Sequence, residues 1–355
     1  MNSQANGTIR ENAVTSQSLD VLKNDDPRLG YFYHPVALET EITDGWLKAT
    51  LLDVDWLIVK TFDGSLVAYR DRCPHRSAPL STGTVCDGII SCGYHGHRFD
   101  DSGRCIEIPA IQDQAHIPPT ARLEVAYGVI CRYGIIFLAP KEPNAPIIEI
   151  SEATDSAFMA GYLVPKNVRQ HCGYLADNFL DMAHFPFVHT QTFGDEATRL
   201  VDNYEIISKL GGFTARYAHQ FANREDPGVA LGERELIQRR ELIYTYVAPF
   251  SLSLRISFLE ADGVNMIGFF ISPVRDGVSR LFCILWRNDM NGTQAEMDEA
   301  VAFEERVLQE DLLLHEQYKT DGFPLDLRFE VHTKADRITV ALRNELRRRL
   351  SEDAM

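Results

Sequence analysis

Cys73-Pro74-His75 and Cys92-Gly93-Tyr94-His95 place two thiols and two imidazoles in short arms separated by sixteen residues. One thiolate and one neutral imidazole per arm suit a two-iron, two-sulfide cluster, with both cysteines on one iron and both histidines on the other. Imidazole in place of thiolate raises the potential of such a cluster, which makes it an acceptor from ordinary ferredoxins. A tetrahedral zinc site also uses two Cys and two His. Zinc spacings usually group like with like, whereas each arm here carries one of each, so the iron reading is preferred.

A second group of metal-ligating types lies about a hundred residues further on. Asn178, Asp181, His184 and His189 fall within twelve residues, and Asp177 to His184 reads as a helix stopped by Pro186. Two histidines at this spacing are, by themselves, more often core or surface residues. Non-haem Fe(II) that activates oxygen takes two His and one carboxylate on one face and leaves the opposite positions open. The carboxylate must then come from elsewhere. Asp311 stands in a charged helical stretch, and its helical neighbours are Val307, Leu308, Leu314 and His315. A carboxylate in such company is costly unless paired or bound to metal. Glu310 beside it has a similar claim, although Arg306 one turn back could pair with it. Spacing leaves these two open.

The runs Arg72-Cys73-Pro74-His75-Arg76 and Gly93-Tyr94-His95-Gly96 resemble the Rieske motif of the ring-hydroxylating-type non-haem iron oxygenases. Respiratory Rieske proteins carry an extra cysteine in each arm; Ala78 and Tyr94 stand there here, so that disulfide cannot form. His97 departs from the oxygenase pattern, which usually has a large aromatic residue at this place. The segment Asn178-x2-Asp181-x2-His184-x4-His189 resembles the same family's iron-binding segment, and Glu310-Asp311-x4-Glu316-Gln317 resembles its later stretch. The resemblance implies that His184, His189 and Asp311 ligate a mononuclear Fe(II), with Asn178 near the iron. It implies that Asp181 links His95 of one subunit to His184 of the next, so the expected assembly is a homotrimer. It further implies electrons from NAD(P)H through a reductase and ferredoxin, O2 as co-substrate and a small aromatic substrate. The phrase from Arg70 to Ser81 is similar to aromatic O-demethylases and purine-type N-demethylases. Oxidative dealkylation is therefore the expected reaction, with ring or side-chain hydroxylation as the alternative. An electron carrier without catalysis is the alternative from another class, and His184, His189 and Asp311 speak against it.

The chain that must position these residues is 355 long, 45% hydrophobic and 24% charged, an ordinary globular balance with room for two domains. A net charge of −16 argues against nucleic acid as partner, since phosphate binding needs a basic face. No apolar run suits a membrane span, and the polar start lacks a secretory h-region. Seven cysteines without framework spacing suit a reducing cytoplasm. The expected fold is α+β: a flexible arm over 1–27, an all-β Rieske domain over 28–147 and an α+β helix-grip catalytic domain with a curved antiparallel sheet over 148–355. Strand-like runs include 46–50, 55–60, 66–69 and 134–138, then 158–170, 204–208, 213–219, 264–271 and 279–287. Helical patterns cover about 293–319 and the segment from Lys334, where Ile338, Leu342, Leu346 and Leu350 form an apolar stripe. Arg343, Arg347, Arg348 and Arg349 are assigned to its wet side. Phe303 and the strand from Phe282 to Arg287 are guesses for the substrate pocket.

Overall fold

The computed structural model describes residues 20–223, 226–260, 263–289 and 292–352. The first half is built from short antiparallel strands. Trp46–Leu51, Val54–Lys60 and Leu66–Arg70 form one three-stranded sheet, and Gly128–Arg132, Ile135–Ala139 and His34–Leu38 form another. Thr84–Cys86, Ile89–Ser91, Arg98–Phe99 and Cys105–Glu107 form a four-stranded sheet. Its second and third strands flank the Cys92–His95 arm. The other arm follows Leu66–Arg70. Leu57, Val59, Tyr69, Leu80, Ile90, Phe99 and Leu123 make a small core beneath both arms.

The second half is one large antiparallel sheet. Its order is Met159–Tyr162, Val278–Arg287, Gly263–Arg275, Ser251–Phe258, Ile237–Val247, Gly212–Ala222 and Glu205–Lys209, and Lys166–Val168 also pairs with Val278–Arg287. Strands up to thirteen residues long alternate their side chains, so one face can be apolar throughout. That face closes over the helix Cys172–Leu180. Phe179 of the helix stacks on Phe269 of the sheet at 4.8 Å and meets Tyr244 edge-on at 6.2 Å. Gly173 allows the chain to pass tightly here, since a Cβ would sit 2.2 Å from the Phe323 ring. The long helix Gln294–His315 begins on a capping box, in which Thr293 and Glu296 satisfy each other's backbone N–H groups.

The halves share a core. Leu29, Phe32, Ile135 and Phe137 belong to the same apolar cluster as the large sheet, and Phe137 meets Phe270 at 5.6 Å. Backbone N–H groups of Leu52 and Asp53 donate to Pro273 and Val274 at 2.8 Å. The two metal-binding regions therefore stand on one continuously packed body.

Several expectations need correction. Residues 20–27 are not a loose arm: Val21–Leu22 pairs with Phe323–Pro324, and Leu22 is buried. Residues 1–19 lie outside the described residues. The run 158–170 is two strands on one neighbour, broken after Tyr162. The helix before the histidines ends at Leu180, with Asp181 already extended, so Pro186 does not stop it. Pro186 instead sits inside the short helix Phe185–Val188, at a first-turn position that needs no backbone donor. Arg343 and Arg349 of the terminal helix Arg337–Glu352 are buried, not on its wet side. The reason is local charge: Arg343 pairs with Asp177 and with Glu330 at 2.6 Å, and Arg349 donates to Glu345 and to the Asn144 carbonyl at 3.0 Å.

Candidate metal centres and active site

Each Rieske arm is a tight loop closed by its own backbone. Cys73 N–H donates to the Ala78 carbonyl at 2.8 Å and Ser77 N–H returns to the Cys73 carbonyl at 2.9 Å. In the second arm, Cys92 N–H donates to His97 at 2.9 Å and Gly96 N–H to Cys92 at 3.0 Å. The second arm packs so closely on the Leu80–Thr82 turn that follows the first that a Cβ on Gly93 would lie 2.7 Å from the Thr82 carbonyl. This geometry buries both cysteines and leaves both imidazoles at the surface. Burial, with Cys92 beside it, pushes the Cys73 thiol up to about 11, while the His75 and Arg76 backbone N–H groups favour its thiolate. The His75 and His95 rings meet edge-on at 4.6 Å. His97 lies buried and stacks on His75 at 4.6 Å with 17° between planes, so the residue that departs from the family pattern still supplies a flat ring against a candidate ligand. Two buried thiols at the core and two exposed imidazoles at the rim fit a cluster whose histidine iron faces outward.

The second centre draws on two helices and the short segment between them. His184 Nε2 and His189 Nε2 lie 3.0 Å apart, and each is 3.4 Å from Asp311 Oδ1. Among the described residues this trio is a group of His, Cys, Asp or Glu able to hold one ion, with ligand atoms within 4.8 Å of one another. A metal–ligand distance of ~2.1 Å with perpendicular bonds separates neighbouring ligand atoms by ~3.0 Å, so the triangle fits one face of an octahedron. The His189 tautomer agrees. Glu310 Oε2, a pure acceptor, sits 3.0 Å from His189 Nδ1, so that nitrogen carries the proton and Nε2 presents its lone pair to the site. Asp181 Oδ2 lies 3.4 Å from His184 Nδ1, an ion-pair contact without hydrogen-bond geometry, while its Oδ1 accepts from Ala183 N–H at 2.8 Å. Burial opposes charge on His184, but the Asp181 and Asp311 carboxylates outweigh it and raise the group to about 9. A divalent cation answers the same surplus of negative charge.

The neighbours Glu310 and Asp311 thus face different ways. Asp311 points at both Nε2 atoms, and Glu310 grips the far side of His189, also accepting from Thr192 Oγ1 at 2.7 Å and Gln191 N–H at 3.2 Å. Sequence reasoning missed this role for Glu310. It also missed His315, one turn beyond Asp311, whose Nε2 donates to Asn178 Oδ1 at 3.0 Å. That contact turns the Asn178 amide so that Nδ2 reaches Asp311 Oδ1 at 3.2 Å. Burial lowers His315 to about 4, so it is neutral at pH 7.

Beside the trio opens a cleft that extends under the sheet, with about 950 Å³ of empty space when its solvent-open mouth is included. Phe179, Phe185, Phe193, Leu242 and Ile256 contribute apolar wall, and Phe303 lines it as guessed. The strand from Phe282 to Arg287 does not line this cavity; its Cys283 lines a smaller neighbour of about 420 Å³. The mostly apolar, aromatic lining suits a small aromatic molecule.

A small β-domain with paired Cys-His arms, joined to a sheet that closes on the helix Cys172–Leu180 with two histidines just beyond its end, defines an iron–sulfur oxygenase. Residues 168–352 match the vanillate O-demethylase oxygenase C-terminal domain and residues 32–120 match the Rieske [2Fe-2S] domain, and the chain belongs to this family of Rieske non-haem iron oxygenases. It is similar to methylxanthine N1-demethylase NdmA of Pseudomonas putida, with 28% identity over 92% of this chain and 91% of that protein. The oxygenase component of dicamba O-demethylase from Stenotrophomonas maltophilia is 31% identical over 49% of this chain and 52% of that one. The solved structure of Pseudomonas putida CBB5 NdmB superposes with a TM-score of 0.79 at 25% identity, covering 95% of this chain and 94% of that one. The chain is therefore an oxygenase component that uses a [2Fe–2S] cluster, a mononuclear iron and electrons delivered by a reductase or ferredoxin. Among the described residues no helix is long and apolar enough to cross a membrane.

Proposed function

We propose that the protein oxidatively removes a methyl or other small alkyl group from an O- or N-alkylated aromatic compound. The observation that carries this reading is the His184, His189 and Asp311 triangle opening on an apolar cavity. Bound there, Fe(II) supplies activation of O2 in positions the protein leaves open. Hydroxylation of the carbon next to O or N gives a hemiacetal or hemiaminal, which releases an aldehyde. The relatives that remove methyl groups from methylxanthines and from dicamba favour this outcome over ring hydroxylation.

Each residue then has a task. Cys73, His75, Cys92 and His95 hold the cluster, and His184, His189 and Asp311 hold the iron. Glu310 fixes the His189 imidazole with its Nε2 lone pair toward the metal, and the Asp181 carboxylate lies beside His184 Nδ1 to balance its charge. Asn178 donates to the Asp311 carboxylate and keeps it turned to the site. Phe179, Phe185 and Phe193 exclude water from the substrate side. The Asp181 carboxylate is 30% exposed, and its outward face suits a second imidazole from a neighbouring subunit in a homotrimer. Residues 28–147 and 148–355 act as the electron-accepting and oxygen-activating domains, and a cytoplasmic ferredoxin or reductase is the partner.

Iron analysis together with product analysis tests the reading. About three irons per chain are expected, against two for a mere carrier. With a surrogate reductase and ferredoxin, methoxy- or N-methyl-aromatic substrates should release formaldehyde. Hydroxylated rings without formaldehyde would move the assignment to the hydroxylase alternative.

A further inference from the structure

Two polar groups in the walls of the cavity carry a buried atom without a hydrogen-bond partner. The Asn265 side chain is only 8% exposed, and its carboxamide oxygen is buried without a hydrogen-bond partner. Tyr244 is fully buried, and its hydroxyl also lacks a partner. Both residues line the cavity. The sheet register puts them on one face: Tyr244 lies opposite Leu254, Leu254 lies opposite Ile267, and Asn265 stands two residues along from Ile267. Other polar groups of the same wall are already engaged. Asn223 Nδ2 donates to Gln238 Oε1 at 2.9 Å. Arg240 Nε donates to His219 Nε2 at 2.8 Å, and its guanidinium carbon lies 4.4 Å over the Phe221 ring. Native proteins seldom leave a buried amide or hydroxyl unsatisfied, so at a cavity wall such groups call for a water or a ligand with matching donors and acceptors.

We propose that Asn265 and Tyr244 select the substrate, and that it is a neutral, flat aromatic ring with an amide edge, a lactam or imide. Its alkyl group turns toward His184, His189 and Asp311. A carboxamide offers one acceptor and two donors, and a tyrosine hydroxyl donates or accepts. A lactam N–H and C=O therefore answer Asn265 in both directions, and the second lone pair of the carbonyl remains for the Tyr244 hydroxyl. A carboxylate has no donor for the Asn265 oxygen, and a hydrocarbon edge answers neither group. Either would enter the cavity while leaving buried polar atoms unpaired. That mismatch is the means by which a site built around hydrogen bonds rejects an analogue of equal shape. The inference takes the cavity as the substrate site of the dealkylating oxygenase and adds to that reading the chemistry of what it accepts.

Three methyl ethers of similar size separate the possibilities: a methoxyquinolone with a lactam edge, a methoxynaphthalene and a methoxynaphthoate. Binding to the metal-loaded enzyme is read as the ligand-induced rise in melting temperature, which needs no turnover. Formaldehyde release is measured in parallel. The quinolone should bind roughly 10- to 100-fold more tightly than either competitor. Tyr244→Phe removes one oxygen and Asn265→Leu keeps the volume, and each should narrow that preference. Equal or tighter binding of the naphthalene or the naphthoate by the unmodified enzyme overturns the proposal, as does a preference unchanged in both variants. If a variant fails to fold, the ranking by the unmodified enzyme still decides. A quinolone preference with no formaldehyde from any ring supports the recognition and overturns the dealkylation, so the two failures are separable.

Discussion

Adjacent carboxylates at Glu310 and Asp311 show how one residue step on a helix divides two kinds of work. A helix rotates its side chains by about 100° per residue, so the pair cannot face the same way. Asp311 meets both histidine Nε2 atoms, and Glu310 reaches around to His189 Nδ1. Asp311→Ala should lose about one iron per chain while the visible spectrum of the cluster stays intact. Glu310→Gln should retain the iron but bind it ~10- to 100-fold more weakly, because the amide lacks the charge and one of the two acceptor oxygens that serve His189 Nδ1, Thr192 and Gln191 N–H. Iron titration of the two variants checks this, and the reverse pattern would exchange their roles. His34 makes a separate case far from the metals. It is fully buried against the Leu29 carbonyl at 2.7 Å, and burial lowers it to about 4. The folded state thus refuses a proton that the unfolded chain accepts near pH 6.5. Stability is full above that pH and falls as the pH drops from about 6.5 toward 4, by about 2 kcal/mol at pH 5 from this residue. Denaturant unfolding at pH 7 and pH 5 should show the loss, and His34→Gln should reduce it.

At the scale of elements, the terminal helix is tied to the helix that carries Asn178. Arg343 is 2% exposed and inserts between Asp177 and Glu330, with its guanidinium 4.4 Å over Phe323. Burial disfavours its charge, yet the two carboxylates outweigh that and hold it protonated. Asp177 adjoins Asn178, so this ion pair fixes the rotation of the helix whose next turn ends at Asp181. Arg343→Met should destabilise the fold by about 3–5 kcal/mol, since it strands a buried carboxylate. Arg348→Ala, on the outer side of the same helix beside Glu345, should cost less than about 1 kcal/mol. Urea midpoints of the two variants provide the comparison.

The whole molecule raises the question of electron delivery. The candidate cluster ligands His75 and His95 are exposed, and Asp181 presents an accessible carboxylate behind His184. A trimer that joins these groups across its interfaces makes Asp181 the bridge. Asp181→Asn keeps the shape but loses charge and an acceptor. Both metals should load and the cluster should still reduce, yet product should nearly vanish. Mixed assembly tests the geometry. Cys73→Ala subunits lack the cluster and His184→Ala subunits lack the iron, so each is inactive alone. Co-assembled, some trimers would set an intact cluster against an intact iron and recover part of the activity. Verified mixed trimers without activity would place the whole path inside one chain.

Local spacing made the two ligand arms legible in the sequence, because cluster ligands must lie on loops only a few residues long. The Asn178 to His189 segment was legible only through its resemblance to a family's iron-binding segment, whereas strands such as 46–50, with alternation, and 55–60 and 279–287, with continuous apolar runs, were legible directly. The strands Ile237–Val247 and Ser251–Phe258 were not recognised, although they carry Arg240, Tyr244 and Ile256 into the cavity. Charged and hydroxylated residues stand on both of their faces, with Arg240 and Tyr244 buried and Arg239 exposed, so only the sheet register reveals which side is buried. The terminal helix shows the same limit. Its apolar stripe was plain, but a sequence does not disclose that Asp177 and Glu330 wait beside Arg343 and make a buried arginine tolerable. Residue types and short spacings determined the chemistry on offer. Long-range packing decided which carboxylate faces the histidines, which arginines are buried and which polar groups are left for a ligand, since each depends on partners more than a hundred residues away or on the opposite strand.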